Sequence, residues 1–346
     1  PLTAALQTFE FMGRETQTRL DRVLLVRVGR SSTVEPRDPD PQPTEGQVDI
    51  KLLHKINLDG DGDENVRGDV FYANLDGDAN PDFILHTCKR VSKAYNWSGQ
   101  KLWEVRNENG EMCDEKSPNV NAHRDRAAAW DLDGDGRDEF ISCGLNGGRY
   151  PSLIVRAGNT GRIIDSKEVE YAEADKFCSA GVFYMNDNKP LILVPTKNPA
   201  ISQRNWSDYG VRWVAYSFDN NELQFEWAVS TPDAGHWIAP MDDNDDGLAE
   251  VLFIGKYAVN RQGTIVWTLN DWPASDHVDG LQIADLLPDV SGKEISFIGY
   301  SGVRLVNWRS RTVIWRKSNG ELENPQNLLI GDFDKSNPGL EILIRL

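Results

Sequence analysis

The chain has 346 residues, 39% hydrophobic and 26% charged, with a formal net charge of −17. That length exceeds one ordinary core unless the fold is repetitive, and so acidic a chain suits neither a nucleic-acid backbone nor an anionic membrane surface. No apolar run approaches the roughly 18 residues that span a bilayer.

Two strand-like runs come first, Val23-Leu-Leu-Val-Arg27 and Ile50-Lys-Leu-Leu53, separated by a Pro-rich stretch at 31–47 that reads as a surface loop. An acidic tract at 57–63 follows, and then a unit begins to repeat. Asn74-Leu-Asp76-Gly-Asp78-Ala-Asn-Pro-Asp82 leads into Phe83-Ile-Leu85. Asp131-Leu-Asp133-Gly-Asp135-Gly-Arg-Asp-Glu139 sits between Ala127-Ala-Ala-Trp130 and Phe140-Ile-Ser-Cys143. The unit at 181–194 keeps its strand-like runs without an acidic loop. The loop returns at 241–250, read with one extra residue around Asp243 and Asp245, and more loosely at 285–294 and 332–341. Outer runs carrying Trp103, Trp227, Trp267 and Trp315 follow these units, their indoles expected to pack.

Six units spaced by roughly 40 to 58 residues, short alternating runs and no sustained helical period indicate an all-β chain. The expectation is a single β-propeller over 1–346 with six to eight blades, seven favoured. Calcium loops would join first and second strands of several blades, and residues 1–56 would supply strands that close the ring by both termini. A monomer is expected.

Hard oxygen donors at alternate positions are what Ca²⁺ requires. Asp131, Asp133, Asp135 and Glu139 form the most complete set, and Asn74, Asp76, Asp78 and Asp82 the next; the ions would be structural. The competing reading is an Asx-turn loop without metal. If these loops mark one rim, residues just before the first strand and just after the second face the other. Those are Arg67, His123, Arg124, Arg126, His236 and His277, then His86, Lys89, Arg90, Arg149, Tyr150, Lys197, Arg204, Lys256, Tyr257 and Tyr300. Four of the 5 histidines fall there.

A rim of His, Tyr, Arg and Lys on an acidic chain suits an anionic ligand, and it matches β-elimination of a uronic acid. A cation neutralises the C5 carboxylate, a base removes the adjacent proton, and an acid protonates the leaving glycosidic oxygen. Trp206 and Trp237 could present apolar faces to sugars. Serine-hydrolase, zincin and phosphate-loop motifs are absent from the sequence. A binding module using the same rim without chemistry is the alternative. The 4 cysteines (Cys88, Cys113, Cys143, Cys178) and the sequons at Asn96 and Asn205 point to a secreted glycoprotein with one or two disulfides.

The Asp131 repeat resembles the FG-GAP calcium loops of integrin-like propellers. His277-Val-Asp-Gly-Leu-Gln-Ile-Ala-Asp285 with Gly292-Lys-Glu294-Ile, and Asn327-Leu-Leu-Ile-Gly-Asp332-Phe-Asp with Pro338-Gly-Leu-Glu341-Ile, are similar to blades of propeller polysaccharide lyases. That group comprises the rhamnogalacturonan, ulvan and rhamnose–glucuronate lyases. Short motifs over residues 60–346 carry the resemblance. It implies β-elimination at a uronic acid joined to rhamnose, with a His pair from successive blades and an Arg on the carboxylate. The matching positions are His86 and His123, with Arg204 or Arg149 as neutraliser, Lys197 as a substitute and Tyr150 as an alternative acid or base. The rhamnogalacturonan enzymes are larger. The sequons and cysteines bring this chain nearer a secreted L-rhamnose-α-1,4-D-glucuronate lyase acting on arabinogalactan or gum side chains. An ulvan or rhamnogalacturonan lyase, and a non-catalytic carbohydrate-binding or adhesion propeller, are the alternatives.

Overall fold

Short runs that alternate apolar and polar residues fold into antiparallel sheets of four strands. The computed structural model describes residues 6–9, 23–27, 68–78, 80–87, 91–106, 127–144, 152–170, 181–185, 189–196, 212–231, 237–274, 276–322, 325, 327–333 and 339–345. The expected strand at 50–53, the loop at 31–47 and the tract at 57–63 lie outside them.

Two strands near the N-terminus are β1 (Leu6–Phe9) and β2 (Val23–Arg27). The next sheet is β3 (Gly68–Ala73), β4 (Asp82–Thr87), β5 (Val91–Tyr95) and β6 (Lys101–Arg106). A third is β7 (Ala128–Trp130), β8 (Glu139–Gly144), β9 (Ser152–Arg156) and β10 (Ile163–Glu168). A fourth is β11 (Gly181–Tyr184), β12 (Pro190–Thr196), β13 (Arg212–Asp219) and β14 (Glu222–Ser230). A fifth is β15 (Ile238–Met241), β16 (Val251–Ile254), β17 (Tyr257–Asn260) and β18 (Ile265–Thr268). A sixth is β19 (Gly280–Ala284), β20 (Glu294–Gly299), β21 (Gly302–Asn307) and β22 (Thr312–Lys317). The one helical turn described, α1 (Asn319–Leu322), leads toward β23 (Asn327–Gly331) and β24 (Glu341–Arg345).

Five sheets are meanders in chain order; the remaining one runs β1-β2-β24-β23 and so joins both ends of the chain. Its register sets Leu24 opposite Ile344 and Val26 opposite Ile342.

The middle strands are buried on both faces, as in β12, β16, β20 and β21, whereas β14 alternates and β10, β18 and β22 are half exposed. Double-sided burial follows because each sheet is sandwiched between neighbours, which explains the unbroken apolar runs of the second strands. Phe140 meets Trp103 of the preceding sheet at 5.9 Å between ring centroids. Phe253 meets Phe297 and Trp308 of the following one at 5.9 and 5.1 Å. Further apolar clusters join β7–β10 to β11–β14, β11–β14 to β15–β18, and β19–β22 to β23 and β24.

The outer hairpins of these meanders carry register shifts, for example between Ala94 and Tyr95, Ala215 and Tyr216, Ala258 and Val259. A bulge at that place bends the edge strand and increases its twist.

Candidate functional site: acidic loops and the opposite rim

The acidic loops lie at one end of the first two strands of their sheets, and their geometry is dictated by side chains folding onto their own backbone. Asp131 accepts from the amides of Gly134, Asp135 and Gly136 at 2.8 to 3.1 Å. Arg137 N donates to Asp135 Oδ1 at 2.8 Å. The acid that opens the second strand then turns back: Glu139 Oε2 accepts from Leu132 N at 2.9 Å. Asp82 accepts in the same way from Leu75 N, Glu250 from Asp243 N, Glu294 from Leu286 N and Leu287 N, and Glu341 from Phe333 N. Five loops therefore share one staple, and its acid is buried in four of them.

This staple corrects the register expected at 241–250. Gly247 N donates to Asp242 Oδ2 as Gly136 N does to Asp131 Oδ2. The loop therefore runs from Asp242 to Glu250 with no extra residue, and Asp246, not Asp245, stands where Asp135 does. Asp245 takes the left-handed conformation (φ 61°) that Gly134 (φ 78°) holds in the other loop.

The donor sets separate the loops. Carboxylate oxygens of Asp131, Asp133 and Glu139 lie within 4.8 Å of one another, as do those of Asp242, Asp246 and Glu250. A calcium ion holds oxygens at about 2.3–2.6 Å, so such a spread fits one ion. The loop at 74–82, expected to be the next best, gathers no such trio among the described residues. Asp82 is one methylene shorter than Glu139, and both its oxygens accept from backbone amides, Leu75 and Asp76 on one side and Trp97 on the other. Asp78 is turned onto Asn80.

Burial pushes the Asp82, Glu139 and Glu294 carboxyls up. Glu139 is raised from 4.5 to about 7, first by burial and then by Asp133, Asp135 and Asp131. Beside this loop Arg137, Asn159, Arg162 and Asn221 line an open cleft of about 340 Å³.

Each of three loops is also latched to the sheet before it by the residue preceding its stapling acid. Asp138 Oδ2 accepts from Asn74 N at 2.6 Å and Ala249 N donates to Tyr184 O at 3.1 Å. Lys293 Nζ donates to Asp245 Oδ1 at 2.6 Å and to the Asp242 carbonyl. None of these latches, nor the roles of Asp242 and Asp246, was read from the sequence.

The described members of the opposite rim do lie at the other end of their sheets. Gly255 N donates to Trp237 O at 2.9 Å, which sets Trp237 beside the turn holding Lys256 and Tyr257. Asp279 N donates to Ile298 O at 2.8 Å, which sets the His277 segment beside Tyr300. Buried Asp276 clamps this corner by accepting from His277 N and Ser301 N at 2.9 and 2.7 Å.

Their presentation differs from the expectation of a rim of exposed side chains. Tyr300 is exposed, and His277 is half-buried with Nε2 2.8 Å from Asp279 Oδ1. Lys256 and Tyr257 are buried, the ring inside the apolar cluster between two sheets and the ammonium 5.7 Å from its centroid. Trp237 packs partly against the next cluster. His86 is placed by its backbone on β4, opposite Asp69. His123, Arg126, Arg149, Tyr150, Lys197, Arg204, Trp206 and His236 lie outside the described residues, as do Cys88, Cys113, Cys178 and Asn205.

No family model matches the chain. Rhamnogalacturonan endolyase YesW of Bacillus subtilis (strain 168) is 23% identical over 287 residues, 66% of this chain and 43% of that protein. The crystal structure of rhamnogalacturonan lyase YesW matches 95% of this chain and 64% of its own, with a TM-score of 0.63 and 19% identity. That of exotype rhamnogalacturonan lyase YesX matches 95% and 62%, with 0.63 and 18%. Bacillus licheniformis rhamnogalacturonan lyase PL11 matches 95% and 64%, with 0.61 and 18%.

The fold is that of the rhamnogalacturonan lyases. The chain spans less than half the length of the curated relative. At identities of 18–19% the likeness to these lyases is one of backbone.

Proposed function

We propose that this chain is a β-propeller of a secreted polysaccharide lyase, its six described sheets serving as blades, that cleaves a rhamnose–uronic acid linkage by β-elimination. The observation that carries the reading is the fold shared with three rhamnogalacturonan lyases over 95% of the chain. The polar corner of His277, Asp279 and Tyr300, at the end of its sheet away from the acidic loop, is consistent with a substrate-facing rim. The partner is a uronic-acid-containing polysaccharide. Rhamnogalacturonan stands first because the relatives carry it in their names; gum or arabinogalactan side chains ending in rhamnose–glucuronate, and ulvan, follow.

In this reading His86 and His123 share the proton work, one taking the C5 proton and the other protonating the leaving oxygen, with Tyr150 able to replace either. Arg149 or Arg204, or Lys197 as a substitute, neutralises the carboxylate. Calcium would be held by Asp131, Asp133, Asp135 and Glu139. There it would offset the converging carboxylates of Asp131, Asp133 and Glu139 and tie the first strand of that sheet to the second.

The test is to incubate the chain with calcium and each polymer in turn and follow the ultraviolet absorbance of an unsaturated uronate. A rise with one polymer establishes the lyase and names its substrate. Binding by calorimetry without a rise, or a rise that His123→Ala leaves unchanged, overturns respectively the activity and the assignment of that histidine.

A further inference from the structure

Two loops of equal length and equal staple offer a trio of carboxylates, yet their electrostatic settings differ. Around Asp131, Asp133 and Glu139 no ammonium or guanidinium among the described residues forms an ion pair. The residue that latches this loop backward, Asp138, is an acid accepting from Asn74 N, not a base. At the loop running from Asp242 to Glu250 a latch reaches in from the next sheet, and it is a cation. Lys293 Nζ lies 2.6 Å from Asp245 Oδ1 and donates to the carbonyl of Asp242, whose own carboxylate belongs to the trio. Its side chain is 22% exposed, so the charge is held against the loop rather than swinging in solvent.

We propose that Lys293 is a tethered cation of the 242–250 loop, supplying from the neighbouring sheet the positive charge that the 131–139 loop takes from a calcium ion. This rests on the calcium reading of the 131–139 loop. Three acids brought together need a counter-charge, and either a divalent ion or a fixed ammonium provides one. An ammonium held against this loop opposes a divalent ion there, because like charges repel. The fixed ammonium carries a single charge but loses no association entropy at each binding event. It also joins the loop before β16 to the start of β20 whether or not calcium is present, whereas in the 131–139 loop calcium would add to the Glu139 staple and the Asp138 latch. One rim then holds one loop that depends on calcium and one that does not.

Calcium titration of the full chain by calorimetry, with melting curves beside it, separates the possibilities. Lys293→Met keeps the stem and removes the charge, and it should gain one calcium equivalent over the unmodified chain. Adding Asp246→Asn to that variant should abolish the gain, and Lys293→Arg should titrate like the unmodified chain. Asp246→Asn alone should leave the calcium stoichiometry unchanged. A Lys293→Met variant that titrates like the unmodified chain, or a loss of one equivalent from Asp246→Asn alone, overturns the proposal. If Lys293→Met fails to fold, the Asp246→Asn measurement decides it. The calcium reading is tested apart by Glu139→Gln and Asp133→Asn, which must each lose an equivalent; retention there defeats that reading whatever Lys293 does.

Discussion

Glu139 is buried among three aspartates and commits one oxygen to the amide of Leu132. Burial first, and then those neighbouring carboxylates, raise it from 4.5 to about 7, so the folded chain holds a proton there that the unfolded chain releases. A carboxyl raised on folding favours the folded state below its unfolded value and opposes it progressively as pH climbs through the folded one. With calcium chelated, stability should therefore fall as pH rises from about 4.5 to about 7, and Asp82 and Glu294, raised by burial as well, act in the same direction. Calcium should restore it, and restore it more near pH 8 than near pH 5, since the ion binds only the ionised form. Melting curves in chelator and in calcium across this range check it. Glu139→Gln keeps the acceptor for Leu132 N while removing the charge. It should flatten the pH slope in chelator and abolish the calcium gain; a slope unchanged in that variant would place its origin elsewhere.

Elements are joined by a device that recurs between sheets. Trp227 on β14 donates from Nε1 to Arg261 O at 2.8 Å, and Trp103 on β6 donates to Gly158 O at 2.5 Å, each reaching the turn after the third strand of the next sheet. That turn can receive an indole because a glycine with positive φ faces it, Gly263 at 77° and Gly161 at 68°. A Cβ on Gly263 would stand 2.6 Å from the Trp227 ring. Trp227→Ala should cost about 3–5 kcal/mol in denaturant unfolding, and Trp227→Phe about 1–2 kcal/mol, since most apolar burial survives while Arg261 O loses its donor. Gly263→Ala should also destabilise, through both its φ and this contact; a neutral Gly263→Ala would mean the indole is free to move aside. The packing role of these tryptophans was legible in the outer apolar runs, but their acceptors, 34 and 55 residues away, were not. The loop register shows a similar limit. Asp242-Asp-Asn-Asp-Asp246 offers acids at every phase, and Asp245 replaces the glycine that marks the turn at Gly134, so only the bond from Gly247 N to Asp242 selects the phase.

At the scale of the molecule, sequence repetition told much and chemistry told less. Four-stranded units with acidic loops between first and second strands follow from spacing and alternation, and the side of each sheet on which His277 and Tyr300 lie follows from counting strands. Whether a rim side chain is presented or buried depends on neighbouring sheets far along the chain, which is why Lys256 and Tyr257 read as ligands and pack instead. The sheet β1-β2-β24-β23 tests the architecture most directly, because half of it comes from each end of the chain. β24 pairs with β2 on one side and β23 on the other. Its Ile342 and Ile344 are fully buried in a cluster with Ile298 of β20 and with Val303 and Leu305 of β21. Removing residues 1–27 would leave β23 and β24 as a two-stranded hairpin with an open edge, and a lone hairpin is marginal in water. The truncated chain should melt at a lower temperature and self-associate through the exposed edge of β24, read by light scattering behind a sizing column. Adding the missing segment as a separate peptide should reverse that self-association, because the register of Leu24 on Ile344 and Val26 on Ile342 depends on backbone pairing rather than on a covalent link. A truncated chain with the oligomeric state and melting temperature of the intact one would mean that the C-terminal hairpin is held by its apolar face against β20 and β21 alone, and that the joining of both chain ends in one sheet contributes nothing to stability.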